Sequence, residues 1–328
     1  MGQLRTTRAH RRLLAIGIAA AAALAGGLLT SCDPPARPVA APYVDVAGSN
    51  PANLKAAVVS GGLRDVSLGF VIGDGCTPTW DDEVPVSEST AINARIDAAR
   101  TAGAKVIVSF GGQAGLDLAR TCTDTTKLAA AYRSVLARFG ATRADFDVEG
   151  DALDDAASIS RRFTAIRALV ATTPSLQVSA TLPVAPSGLE PNGLAFLRKA
   201  KATGTRIDLV NIMVMDYGDA RDMGATAISS AMGTLAQWKA ISPSASYAKL
   251  GLTPMIGRND TASEVFSLAN ARAVISWARA NGVGRLAFWS LNRDQQCAGA
   301  TSTAQDDCSG VSQGTLAFTK LLVAAAKP

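Results

Sequence analysis

From Tyr43 onward the chain repeats one pattern: a short apolar, β-branched run, a polar or glycine-rich junction, then a helical segment. Eight apolar runs occur, at Tyr43–Val46, Asp65–Ile72, Lys105–Phe110, Ala144–Glu149, Gln177–Leu182, Leu209–Met215, Lys249–Thr253 and Arg285–Ser290. Runs of this length bounded by turn residues read as strands. The segments between them carry helix signals. Ile92, Ile96 and Ala99 share one helical face, as do Phe163, Ile166 and Val170. Asn50-Pro51 puts a cap residue before a proline at the first helical position. Thr261-Ala262-Ser263-Glu264 reads as a capping box ahead of Val265 and Phe266. Gly103, Gly204 and Gly282 stand where helical segments should end. Strict alternation of eight strands with helices predicts an α/β fold closed as a TIM (β/α)8 barrel over residues 43–328, a single domain. No G-x-G-x-x-G follows the first strand, so a dinucleotide-binding sheet is disfavoured. The units after the seventh strand read as short, so an open cleft is expected.

The segment before this repeat has a different character. Arg5, Arg8, Arg11 and Arg12 precede an apolar stretch from Leu13 to Leu29, with no acidic residue before Asp33. This is the pattern of an export signal, residues 1–31. Leu29-Thr30-Ser31-Cys32 resembles a lipobox, in which the cysteine is lipidated, so Cys32 is expected to anchor the protein to a membrane from outside the cell; the alternative is an ordinary signal peptide with an incidental cysteine and a secreted protein. Residues 32–42, rich in proline, read as a tether. Without the four leader arginines, the 32 basic residues fall to 28 against 27 acidic ones. The high pI thus belongs largely to the leader, and a nucleic-acid partner has no electrostatic support. A monomer is expected.

Two further counts restrict the chemistry. The one histidine, His10, lies in the leader. The remaining chain therefore has no Ser-His-Asp or Cys-His catalysis and no His-ligated zinc, and no metal or organic cofactor is implied. Beyond Cys32 the chain holds Cys76, Cys122, Cys297 and Cys308, which allow three pairings in an oxidising compartment. The favoured pairs are Cys297–Cys308, closing a short polar loop, and Cys76–Cys122. Free buried thiols are the alternative.

Acid–base work must then fall to other side chains, and the fourth strand holds the candidates. In Asp145-Phe146-Asp147-Val148-Glu149, alternation places the three acids on one face and the apolar pair on the other. Cα atoms two apart on a strand are roughly 6.6 Å apart. Three carboxyls so close cannot all ionise cheaply, so a proton is retained among them, as a general acid requires. Other strand ends are also unusual: Ser109-Phe110-Gly111-Gly112 on the third, Met213-Val214-Met215-Asp216-Tyr217 on the sixth, Phe288-Trp289-Ser290 on the eighth. Gly111 and Gly112 permit close backbone approach or a tight turn. Trp289 offers a flat apolar floor for a sugar ring. Trp80, beside Cys76, is a second candidate for sugar stacking, with surface packing as the alternative. Gln113 and Asn211 are candidate polar contacts.

Together these motifs resemble glycoside hydrolase family 18, the chitinases and their relatives, over nearly all of residues 43–300. Asp145, Asp147 and Glu149 match the last three acidic positions of D-x-x-D-x-D-x-E, and Ser109, Gly111 and Gly112 match S-x-G-G. The resemblance implies a retaining hydrolase that cleaves β-1,4 bonds of chitin or another N-acetylglucosamine polymer, with endo action favoured by the open cleft. It implies Glu149 as general acid, Asp147 as the residue orienting the substrate's N-acetyl group, and Asp145 as a partner sharing a proton with Asp147. Two positions depart from the pattern. Thr142 stands at the first aspartate, and Met215 at the tyrosine of M-x-Y-D, with Asp216 retained as a sugar or acidic-cluster contact. Since Met213, Met215 and Tyr217 alternate onto one face, Tyr217 is the expected source of the missing hydroxyl. The alternatives are an endo-β-N-acetylglucosaminidase acting on N-glycans and a non-catalytic carbohydrate-binding protein on the same barrel.

Overall fold

A computed structural model of the chain describes residues 1–2, 37–48, 54–80 and 84–327. The leader, Cys32 and the Asn50-Pro51 cap lie outside these residues. Residues 35–328 form one compact unit.

Its centre is a closed parallel barrel. Strand β1 comes in two pieces, Val39–Ala40 and Tyr43–Asp45. The second piece pairs with β2 (Asp65–Asp74), and the ladder continues through β3 (Lys105–Gly111), β4 (Arg143–Asp147), β5 (Gln177–Ala185) and β6 (Leu209–Met213). It passes on to β7 (Leu250–Thr253) and β8 (Arg285–Leu286), and β8 pairs Arg285 with Val39 and Leu286 with Ala40. The barrel closes through β1, so the domain begins before residue 43 and the last residues assigned to the tether belong to it. Pro42 is tolerated there because its neighbours make the bonds to the eighth strand. Ala41 N donates to the Leu286 carbonyl at 2.9 Å and Tyr43 N to that of Phe288 at 3.0 Å.

Helices α1 (Leu54–Val59), α2 (Thr90–Thr101), α3 (Leu118–Thr121) and α4 (Thr125–Arg138) fall between the early strands. Next come α5 (Gly150–Asp154), α6 (Ala156–Thr172), α7 (Pro191–Ala202), α8 (Met223–Ile241), α9 (Leu268–Asn281) and α10 (Ala317–Ala326). Local chemistry fixes their starts. Asp124, Asp155 and Asp222 each accept two backbone N–H bonds as N-caps of α4, α6 and α8. The expected face residues Ile96, Ala99, Phe163 and Ile166 are buried. Gly282 ends α9 in the left-handed region, φ 68°. No described helix is long and apolar enough to cross a membrane.

Two expectations fail at the seventh unit. The capping box lies six residues later than Thr261–Glu264: Ser267 caps α9, with Asn270 reciprocating. Glu264 is instead fully buried, with Oε1 accepting from Gly218 N at 2.8 Å, so it ties two loops together rather than opening a helix. Val265–Phe266 are extended and pair antiparallel with Gly257–Arg258. The units after the seventh strand are therefore not short, because this pair and a loop closed by Cys297–Cys308 add to the rim. The other disulfide, Cys76–Cys122, joins the loop after β2 to the end of α3; both bridges are the pairs favoured from sequence.

Candidate active site

The alternation of β4 separates an apolar outer face from an acidic inner one. Outward, Phe146 packs with Phe110 at 5.5 Å and edge-on to Tyr132 of α4 at 5.1 Å between ring centroids. Aromatic pairs of this kind add about 0.5–1.5 kcal/mol each beyond their buried area. They hold the strand in place while Asp145 and Asp147 point into the barrel.

Asp145 is the lowest of the three acids and is fully buried. Its carboxylate accepts hydroxyl bonds from Tyr43 (2.9 Å), Ser109 (2.8 Å) and Thr181 (2.9 Å), and another from Ser179. Arg285 Nη1 lies 3.6 Å away. Hydroxyls from β1, β3 and β5 thus converge on one carboxylate and leave it no hydrogen bond to Asp147. The shared proton expected for that pair is not present as a bond, because Asp145 is already saturated by donors.

Asp147 is 3% exposed, and its Oδ1 has no hydrogen-bond partner. Burial above all, then the charges of Glu149, Asp145 and Asp117, hold its carboxyl well above the usual carboxylate range. Asp117, paired with the buried Arg162 at 2.7 Å, went unnoticed in the sequence. Glu149 stands just past the end of β4, at the N-cap of α5 without a capping bond. Burial pushes its carboxyl up to about 7. An acid with that value is poised to hold a proton near neutrality and to give it up.

Asp147 and Glu149 line a cavity of about 650 Å³ at the C-terminal ends of the strands. Trp289 lines it and stacks on Phe70, with ring centroids 5.4 Å apart and planes 17° apart. Phe70 and Tyr43 were not singled out from the sequence. The β2–β3 register shifts between Leu68 and Val71, so simple alternation does not report where Phe70 points. Met215, Asp216 and Gln113 also line the cavity, and Asp216 Oδ1 accepts from Thr261 N at 2.8 Å.

Several expected site residues lie elsewhere. Tyr217 does not line the cavity: its hydroxyl meets Ser230 Oγ of α8 at 3.0 Å, and its ring lies beneath Arg221. The cause is Asp216, whose left-handed backbone (φ 50°) breaks the alternation. The cavity wall at this point is Met215, with no hydroxyl. Trp80 is fully buried on a hairpin beside β2, packed against Phe139, and is core rather than a sugar platform. Gly111 and Gly112 do not line the cavity. With φ 112° and 89°, they fold the end of β3 over β4, where a Cβ on Gly111 would lie 2.0 Å from the Asp147 carbonyl oxygen. Asn211 sits below the cavity, donating to Tyr43 Oη at 3.1 Å and to Thr253 Oγ1 at 2.8 Å. No cluster of His, Cys, Asp and Glu suited to a metal occurs among the described residues.

No protein-family model matches the chain. It is 33% identical over 277 residues to a probable bifunctional chitinase/lysozyme of Escherichia coli (strain K12), covering 78% of this chain and 31% of that protein. It is 32% identical over 274 residues to endochitinase 11 of Metarhizium anisopliae, covering 78% and 52%. The chain thus spans about a third to a half of the length of these relatives. Among solved structures, the catalytic domain of a hyperthermophilic chitinase from Pyrococcus furiosus matches with a TM-score of 0.79 and 29% identity, over 89% of this chain and 97% of that one. Catalytic-site mutants of active domain 2 of the thermostable chitinase from the same organism, complexed with chito-oligosaccharides, match with a TM-score of 0.78. The chain is a TIM barrel, similar in sequence and in fold to the catalytic domains of chitinases.

Proposed function

We propose that the protein is a chitinase-like glycoside hydrolase that cleaves β-1,4 bonds next to N-acetylglucosamine by substrate-assisted catalysis. The observation that carries this reading is the column Asp145, Asp147, Glu149 rising from the barrel interior to the cavity, its top member held near pH 7. Glu149 gives its proton to the glycosidic oxygen as the bond to the anomeric carbon breaks. The substrate's own acetamido oxygen closes on that carbon, giving an oxazolinium-like intermediate, and Asp147 accepts the acetamido N–H. Water then attacks, losing a proton to Glu149, and the configuration is retained. Asp145 stays beneath, held in place by the hydroxyls of Tyr43, Ser109 and Thr181. Trp289 and Phe70 take the apolar face of a sugar ring.

The leader supports a second part of the proposal: export, lipidation at Cys32, and work outside the cell as a monomer with no nucleic-acid partner. Membrane fractionation of Cys32→Ser tests the anchor.

The hydrolase reading is tested by incubating the protein with chitin oligomers and with an N-glycoprotein, then mass-analysing the products. Shortened oligomers released from chitin are expected. Product from the N-glycoprotein alone would mark an endo-β-N-acetylglucosaminidase, and oligomer binding without product would mark a sugar-binding barrel.

A further inference from the structure

The near balance of 28 basic and 27 acidic residues beyond the leader hides a division between the two ends of the barrel. Seven connections lead from a helix into the next strand, at the end away from the cavity. Counted from the last three helical residues to the first of the strand, they hold eleven lysines and arginines and two aspartates. The cavity end has the opposite sign. Its described residues, from each strand end to the third residue of the helix that completes the unit, hold nineteen acids and six basic residues, Asp45 and Arg293 among them.

Five of the eleven basic residues are matched. Asp65 pairs with Arg143, Asp208 with Arg206 at 3.1 Å, and Arg285 turns inward to Asp145 at 3.6 Å. Arg100 and Arg138 share Asp97 of α2 at 3.1 and 2.8 Å. The other six, Arg64, Lys105, Lys201, Lys239, Lys249 and Arg279, make no ion pair among the described residues. All but Lys249 are exposed. Lys201, Lys239 and Arg279 lie in last helical turns, where the helix dipole favours a cation. Arg64 and Lys105 stand where strands begin, and Lys249 ends a single 3-10 turn, so no helix dipole accounts for them.

The chain enters the barrel at this same basic end. Val39 N donates to the Gly284 carbonyl at 2.9 Å, in the connection from α9 to β8, and Arg37 Nη1 donates to the Lys327 carbonyl. Cys32 precedes Arg37 by five residues. Five residues reach no more than about 18 Å when extended. A lipid so close brings the basic end to the headgroups, whose attraction acts within roughly 8 Å at physiological salt. On the reading that Cys32 carries a lipid, we propose that the basic end of the barrel docks on the anionic surface of the bilayer, with the cavity facing away from it. The surface attracts one end of the barrel and repels the other, so the same field sets the orientation.

The test uses residues 33–328, which lack the leader and Cys32 and contain the whole barrel. Co-sedimentation is measured with vesicles of phosphatidylcholine alone and with vesicles containing about 40% phosphatidylglycerol, at about 0.1 M and 0.5 M salt. Binding is expected to the anionic vesicles only and should fall roughly tenfold or more in high salt. Each basic residue near such a surface is worth roughly fivefold, so Arg64→Gln, Lys105→Gln and Lys249→Gln together should weaken binding roughly 10- to 100-fold. The same loss of charge elsewhere, by Lys55→Gln, Lys127→Gln and Arg133→Gln, should change it by less than about threefold. Thermal unfolding checks that both variants fold. Equal binding to the two kinds of vesicle, binding to neither, or an equal loss in the two variants would overturn the inference. Fractionation of the full chain separates it from the anchor. A full chain that Cys32→Ser releases from membranes, with residues 33–328 ignoring anionic vesicles, keeps the anchor and removes this inference. Vesicle binding by residues 33–328, with fractionation unchanged by Cys32→Ser, does the reverse.

Discussion

Tyr43 Oη donates to Asp145 Oδ2 at 2.9 Å across 102 residues of sequence, joining β1 to β4 in the layer beneath the cavity. The same hydroxyl accepts from Asn211 at 3.1 Å, so one phenol links three strands. Tyr43→Phe removes a donor from a buried carboxylate and should cost about 1–3 kcal/mol. Denaturant unfolding reads the loss, and turnover on chitin oligomers should fall with it as Asp145 shifts. An unchanged midpoint would mean that the hydroxyls of Ser109, Ser179 and Thr181 hold Asp145 alone.

The two positions near the end of β6 make opposite predictions. Tyr217→Phe should leave turnover within about twofold and cost roughly 0.5–1.5 kcal/mol of stability, because it removes only the bond to Ser230. Met215→Tyr places a hydroxyl on the cavity wall, where it can position the substrate's acetamido group for attack, and should raise kcat by roughly two- to tenfold, the worth of one hydrogen bond of about 0.5–1.5 kcal/mol. Steady-state kinetics on a chromogenic chitin oligomer check both. A large loss of kcat in Tyr217→Phe would return that residue to the site.

Removing the Cys76–Cys122 bridge, which closes 46 residues, should cost roughly 4 kcal/mol in the chain-entropy model; the 11-residue Cys297–Cys308 closure should cost roughly 3. Thermal unfolding of the two Cys→Ser pairs measures both. An order reversed between them would point to strain or contacts rather than loop entropy.

Stability should also depend on pH through Glu149. Its folded-state value of about 7 lies above its ordinary 4.5, so the folded state binds more protons between those two values. Stability therefore falls as pH rises through that window, by up to about 3 kcal/mol. Glu149→Gln should flatten this part of the curve and exceed the wild type in stability at pH 8. Parallel curves for the two proteins would place Glu149 in water rather than in a desolvated site.

The barrel was legible because its signals are local and periodic: eight apolar runs, apolar residues at helical spacing and glycines at helix ends; the aspartates that cap α4, α6 and α8 were not read from the sequence. The acidic column was legible for the same reason, since a strand of period two puts Asp145, Asp147 and Glu149 in one row. What failed depended on backbone that leaves the period. Asp216 at positive φ sends Tyr217 to α8, and the register shift before Val71 hides Phe70. Trp80 was misread because a hairpin not seen in the sequence buries it. Asp117 acts on Asp147 through space from another loop, which no spacing rule reports. The boundary near residue 39 was missed because the first strand is short and interrupted by Pro42.

The most direct measurement is the pH–rate profile of chitin-oligomer hydrolysis by the wild type beside Glu149→Gln, with oligomer affinity measured on both. The account predicts product release by the wild type with an alkaline limb near pH 7, where Glu149 loses its proton. It predicts a fall of about 10²-fold or more in Glu149→Gln with binding retained, the range of general acid catalysis. A wild type that binds oligomers, releases no product at any pH and is matched in affinity by Glu149→Gln would contradict it.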